Sequence, residues 1–231
     1  MGLRVGIILV SGVFAVLLVV AGFLYSRLGR ADLINGSFED GLFNPDHGIS
    51  VPCKTNLDEI EVGSAERDKI ARWTVFGATK LRIGWRKDMI QHECKGSDLR
   101  ASDGNFFIDL AYDNETTGPT AGVEQFVVVT RPGVFELSLD VGAHPSLPAP
   151  LVEVRVEQRG ATLASRTCSS TPSGNSIKWQ TCTTATFPAD TSQISPGATG
   201  DLRIVIRGPS QAKTTFIGVD KVVLRPLRAL Y

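Results

Sequence analysis

The chain has 231 residues, with 24 lysines and arginines balanced by 24 aspartates and glutamates, 23 glycines, 12 prolines and two methionines. Three of the basic residues, Arg4, Arg27 and Arg30, lie in an N-terminal segment of different character, which leaves 21 basic against 24 acidic residues in the remainder. That balance provides no basic stripe to follow a phosphate backbone and excludes nucleic acid as an expected partner. The wealth of turn formers argues against a helical bundle and suits one all-β domain of about 200 residues.

The first element in chain order is an uncharged apolar run over residues 5–25. As a helix rising ~1.5 Å per residue it would span roughly 30 Å, the thickness of a bilayer's hydrocarbon core. Cleavable signal peptides usually carry a shorter apolar region of about 7–15 residues. Residues 1–30 are therefore expected to form a transmembrane signal anchor. A signal peptide cleaved near Ala31 is the alternative, and would make the protein secreted. Residues 31–231 are expected to form the extracytoplasmic domain, periplasmic or extracellular. Basic residues flank both ends of the apolar run, so charge alone does not set its orientation.

Beyond the leader, residues 32–35 read as a short strand, and residues 41–71 as an irregular surface insertion with Pro45, Pro52 and the charged run Glu66-Arg-Asp-Lys69. From Trp73 onward strand signals recur about every ten residues, as in a sandwich. Phe135, Leu137, Leu139 and Val141 alternate with Glu136, Ser138 and Asp140, and Val152, Val154 and Val156 alternate with Glu153, Arg155 and Glu157. This period of two buries one face and wets the other, the pattern of antiparallel sheets. Residues 126–129 are apolar on both faces and are expected to be central or covered. Turns such as Arg131-Pro-Gly133 and Thr171-Pro-Ser-Gly174 separate the segments. Nine or ten strands are expected, with no helix past the leader.

Four cysteines, Cys53, Cys94, Cys168 and Cys182, lack the spacing of a zinc site. Cys168 and Cys182 flank a turn-rich stretch, so a disulfide between them would staple a loop. Cys53 would then pair with Cys94. Four cysteines allow three connectivities, and this one is expected. An even count beside an export-like leader points to an oxidising compartment.

The order of the pieces resembles a known family. The run is Asn35-Gly-Ser-Phe-Glu39, Trp73-Thr-Val75, Ala101-Ser-Asp-Gly104 leading to Ile108-Asp-Leu110, Gly122-Val-Glu-Gln125, Arg131-Pro-Gly133, Lys178-Trp179 and Gly218-Val-Asp-Lys-Val222. It is similar to the bacterial choice-of-anchor C family and to the plant cell-wall family known as domain of unknown function 642. Both resemble carbohydrate-binding modules of galactose-binding-like fold. The resemblance spans residues 32–227 and implies a jelly-roll β-sandwich, exported and associated with polysaccharide or cell wall, with no established reaction. The cysteine-bearing stretches 41–71 and 86–104 depart from that pattern.

Several residues are candidates for chemistry. Asp220 shares parity with Val222 and Leu224, so it is expected at the sandwich interior or edge, where a carboxylate needs a partner. With Glu39 it could hold a structural Ca2+, as related sugar-binding modules do near this place. The competing reading has Asp220 accepting backbone N–H bonds. Trp85 and Tyr112 are the expected sugar-stacking platforms, because aromatic faces pack on pyranose C–H faces. Trp73 and Trp179 fit core anchors better. Asp109 and Gln125 are candidates for hydrogen bonds to a ligand, or for local bracing. Asn35-Gly-Ser37 and Asn114-Glu-Thr116 match the N-glycosylation pattern. No nucleophile elbow, zinc-protease helix, phosphate loop or dinucleotide fingerprint is present. The expected function is a non-catalytic module that binds carbohydrate or cell wall and is tethered to the membrane by its N-terminal helix. The alternative is a protein-interaction module of envelope assembly, and a polysaccharide hydrolase ranks third.

Overall fold

The computed structural model describes residues 30–44, 57–79, 81–88, 99–111, 121–191, 201–208 and 216–229. Two antiparallel sheets face each other. One has five strands in the order β10 (Ala161–Ser169), β9 (Leu151–Gln158), β13 (Leu202–Arg207), β6 (Gly122–Val127) and β3 (Thr74–Phe76). The larger runs β11 (Lys178–Thr183), β8 (Gly133–Ala143), β14 (Gly218–Ala229), β5 (Phe106–Asp109), β4 (Arg82–Lys87) and β2 (Leu57–Glu61), with β12 (Phe187–Ala189) also paired to β8. A two-stranded sheet joins β1 (Arg30–Ala31) to β7 (Val129–Arg131) at one end. The described residues thus form an all-β, two-sheet antiparallel sandwich, consistent with a jelly roll.

The period-two alternation places the core where expected. Leu137, Leu139 and Val141 of the large sheet meet Val154, Val156, Ile204 and Ile206 of the small one, all shut off from solvent. Burying such a side chain contributes roughly 1.5–3 kcal/mol, so this one layer of aliphatic residues dominates cohesion. On the outer face of the small sheet the alternating charges pair. Arg203 reaches Glu124 and Glu157, Arg155 reaches Glu153 and Glu157, and Arg207 reaches Glu153. One strand set therefore has a dry face and an ionic face.

Several expectations need correction. Strand β1 lies at residues 30–31, while residues 32–35 make no ladder. The stretch 41–71 contains β2 and a bridge between Gly41 and Ile70, so it is not wholly irregular. Fourteen strands, several very short, occur among the described residues. Strand β6 is internal to its sheet, as the apolar run suggested, but nothing among the described residues covers its outer face: Phe126 and Val128 are exposed. The apolar leader, Cys53, Cys94 and Tyr112 lie outside the described residues. Among those described, no helix is long and apolar enough to cross a membrane.

Cys168 and Cys182 form a disulfide with Cα atoms 5.9 Å apart. It does more than staple a loop. Cys168 ends the edge strand of the small sheet and Cys182 lies on the edge strand of the large one, so the bond closes one open side of the sandwich. Replacing both by alanine should lower stability by about 2–4 kcal/mol, the range for a ring of this size. Urea unfolding of the Cys168→Ala, Cys182→Ala double variant will show this. An unchanged midpoint would mean the sheets hold that edge without the bond.

Candidate functional site

Three of the motif segments read from the sequence meet at one place, where carboxylates grip a loop. The loop 101–106 leads into β5, and its backbone N–H groups point at acid side chains. Ala101 N donates to Asp88 (2.6 Å), Ser102 N and Asp103 N donate to Asp220 (2.7 and 2.8 Å), and Asn105 N and Phe106 N donate to Glu39 (both 2.8 Å). Backbone donors aimed inward must be satisfied, and a carboxylate does so more strongly than a neutral acceptor. Gly104 completes the grip: its φ is +69°, and a β-carbon there would overlap the Glu39 carboxylate.

The Asn35-Gly-Ser-Phe-Glu39 segment is locked by the same logic. Asn35, at φ 55°, accepts from Asp40 N (3.0 Å) and donates both amide hydrogens, to Asp40 O and Ala71 O (2.9 and 3.0 Å). Its amide nitrogen is thereby committed, so in the folded protein this glycosylation pattern is a turn motif. Val222 N donates to Gly36 O (2.9 Å), Ser37 Oγ donates to Asp103 (2.7 Å), and the buried Trp73 and Trp85 donate their indole N–H to Asn35 O and Phe38 O. The segment acts as a plug between β14 and the motif loop.

Beside this clasp, the outer face of the large sheet carries a second apolar cluster separate from the sandwich core: Leu99, Phe107, Ile177 and Phe216, with the half-buried Trp179 and Leu147 against them. Its floor is a pair of registered glycines, Gly142 of β8 and Gly218 of β14. A β-carbon on Gly142 would stand 2.8 Å from the Trp179 ring and one on Gly218 3.1 Å from it, so the indole lies directly on bare backbone. Trp179 donates to Arg100 O (2.8 Å), and Phe107 meets it edge-on at 5.6 Å. Polar groups border the rings. Asp109 pairs with Arg86 (3.0 Å), whose guanidinium lies 6.0 Å from the Phe216 ring centre. Thr181 Oγ1 donates to the buried Asp140 (2.5 Å), which also accepts from Ser102 Oγ. His144 accepts from Ser146 N through Nδ1 (3.2 Å), which puts its proton on Nε2. Burial, followed by the charge of Arg86, lowers its pKa and keeps the imidazole neutral.

The residues singled out from sequence fall differently. Trp85 is fully buried in the sandwich, packed on Phe43 and Phe106, and has no exposed face to offer a sugar. Side chains alternate along β4, and Trp85 takes the inward parity of Ile83. Gln125 is buried and exchanges two hydrogen bonds with the backbone of Ile34 (3.0 and 2.8 Å), in effect pairing that segment to β6. Asp109 does stand on the outer face beside the second cluster, and also accepts from Ala111 N and Ile217 N (both 3.2 Å). Asp220 is buried, but on the outer side. A bulge at Lys221, with φ 49°, flips the parity between Asp220 and Val222, which a reading of simple alternation cannot detect. Glu39 and Asp220 do not fit a calcium cage: one oxygen of each is taken by two N–H donors, and the other Asp220 oxygen accepts from Lys221 N (2.7 Å). Among the described residues no group of three or more acidic, histidine or cysteine side chains is placed to hold a metal.

Phe216, His144 and the two glycines were not anticipated as site residues. The available signal was a glycine inside each of two apolar strands, which marks close approach of another group.

No protein-family model matches the sequence, and no curated protein is significantly similar to it. Several solved structures resemble the fold. The Stig cyclase Fisc from Fischerella sp. TAU, in complex with (3Z)-3-(1-methyl-2-pyrrolidinylidene)-3H-indole, has a TM-score of 0.58 and 17% identity over 88% of this chain and 100% of that one. A cyclase from the same source in complex with 4-(1H-indol-3-yl)butan-2-one has a TM-score of 0.52 and 18% identity, covering 87% of this chain and 98% of the other. The CBM22-1 xylan-binding domain of Paenibacillus barcinonensis Xyn10C has a TM-score of 0.47 and 15% identity, covering 88% and 99%. At these identities the two cyclases share a fold with this chain, and nothing more is implied.

Two predictions test the clasp. Gly104→Ala should destabilise the protein by roughly 1–3 kcal/mol, the scale of a strained backbone site; a melting temperature equal to wild type would show that the loop is free to yield. Burial pushes the Asp220 carboxyl up to about 7 against the pull of its N–H donors. The folded protein then holds a proton that the unfolded chain releases, so this contribution is complete below pH ~4 and is lost as the pH rises through ~7. Between pH 5 and 8, wild type should lose urea resistance relative to Asp220→Asn. Parallel pH profiles would rule this out.

Proposed function

We propose that this chain is a non-catalytic carbohydrate-binding sandwich whose ligand lies on the outer face of the large sheet, against Trp179. The observation carrying this reading is the second apolar cluster. The sandwich core is already closed by the two inner faces, so aromatic rings on an outer face, with the part-buried Arg86–Asp109 ion pair beside them, are not needed to hold the fold. A flat indole on a glycine floor offers one broad face to a pyranose ring. Thr181, His144 Nε2 and the Arg86–Asp109 pair border it with donors and acceptors suited to hydroxyls. We place the domain outside the cytoplasm, tethered through the apolar run 5–25. The Cys168–Cys182 disulfide supports an oxidising compartment.

A pocket for a flat aromatic molecule is the second reading. It draws on the full-length similarity to a cyclase solved with an indole compound and on the Phe107, Phe216 and Trp179 lining. The same panel separates the two. Glycan arrays and indole compounds should be titrated against wild type, Trp179→Ala and Trp179→Phe. The carbohydrate reading expects glycan binding that falls about tenfold or more in Trp179→Ala, a loss of roughly 1.4 kcal/mol, with partial retention in Trp179→Phe and an unchanged far-ultraviolet spectrum. Saturable indole binding without any glycan response would replace it with the second reading.

A further inference from the structure

The two ends of the sandwich differ in a way that bears on how the domain sits relative to a membrane. At one end are β1, β7, the start of β8 and the end of β14. Arg30 and Arg131 are register partners there, and Arg228 lies opposite Val134 on β8. All three arginines are exposed, as are the apolar Leu227 and Val128 nearby. Asp32, which pairs with Arg30, and Asp190, which pairs with Arg159, are at the same end, together with Asp201. With Arg159, four arginines thus stand against three aspartates, and Arg27 lies two positions after Tyr25 in sequence.

The other end carries the Trp179 face. Gly142, Gly218 and Trp179 are in register at the end of β8 and the starts of β14 and β11. From Val134 to Gly142 is eight residues of extended strand, about 26 Å at ~3.3 Å per residue. Meanwhile Arg30 follows Tyr25, the last residue of the apolar run, by five positions. Five residues reach at most about 18 Å. A tether this short cannot let the domain stand inverted, with the Trp179 end on the lipid and the Arg30 end farthest from it, while β1 stays paired to β7.

From this placement we propose that the Arg30, Arg131 and Arg228 end faces an anionic lipid surface, and that the Trp179 face is displayed on the side away from it. The proposal rests on the tethering reading above. Exposed arginines with apolar neighbours suit a headgroup layer, where guanidinium groups meet phosphates and Leu227 can enter the interface. The domain is then oriented by its own surface as well as by its anchor.

The test uses the full chain in vesicles of phosphatidylcholine with or without phosphatidylglycerol. Flotation after an alkaline wash reads the tether itself: a chain that stays with the vesicles supports it, and release overturns both the tether and the orientation. A bimane label is placed at Thr130→Cys or Ser146→Cys, and quenching by lipids with a nitroxide on the headgroup reads proximity. Several-fold quenching at position 130 and none above background at 146 is expected. Retained protein with equal quenching at the two positions would overturn the orientation while leaving the tether standing. The Arg30→Gln, Arg131→Gln, Arg228→Gln variant should lose at least half of the quenching at position 130 in phosphatidylglycerol vesicles. If it quenches like wild type, the arginines play no part and the anionic surface is the wrong partner.

Discussion

Backbone donors outside the strand ladders need acceptors, and at the loop that enters β5 carboxylates supply them. Asp88, Asp220 and Glu39 accept five N–H groups from one short loop, and Asp140 holds the hydroxyl of the same loop. A hydrogen bond contributes about 0.5–1.5 kcal/mol net, and more to a charged acceptor; five converge on this loop, so it has little freedom to lie elsewhere. Its fixed position in turn fixes Arg100, whose carbonyl holds the Trp179 indole, and Phe107, which meets that indole edge-on. The clasp and the candidate site are therefore one construction, with the clasp as its support.

The cost of this arrangement is electrostatic. Asp220 and Asp140 are cross-strand neighbours, and both are buried. Burial drives Asp220 toward its neutral form, while the loop N–H groups favour the charged one. Burial prevails, so the carboxyl sits near neutrality in its titration and the hold on the loop is tied to proton concentration.

Much of the fold was legible in the sequence because period-two alternation is imposed directly by strand geometry. The apolar sets of β8 and β9 point inward as the pattern required, and the Cys168–Cys182 bond falls where a turn-rich loop brings two strands together. The ordered motifs were also visible, though not what they did. Asn35-Gly-Ser-Phe-Glu39 and Ala101-Ser-Asp-Gly104 were seen as separate signatures, and their mutual hydrogen bonds cross more than sixty positions of chain.

What the sequence alone determined is local: which residues alternate, where turns interrupt them, and that residues 5–25 are an uncharged apolar run. Tertiary structure decided which side of a strand each polar residue serves. One bulge residue at Lys221 moves Asp220 from the core side to the outer side, and strand parity sends Trp85 inward. The Trp179 face exists only because glycines from two strands distant in sequence come into register beneath an indole from a third. Register between distant strands is set by the packing of the whole sandwich, and no local pattern in the chain encodes it.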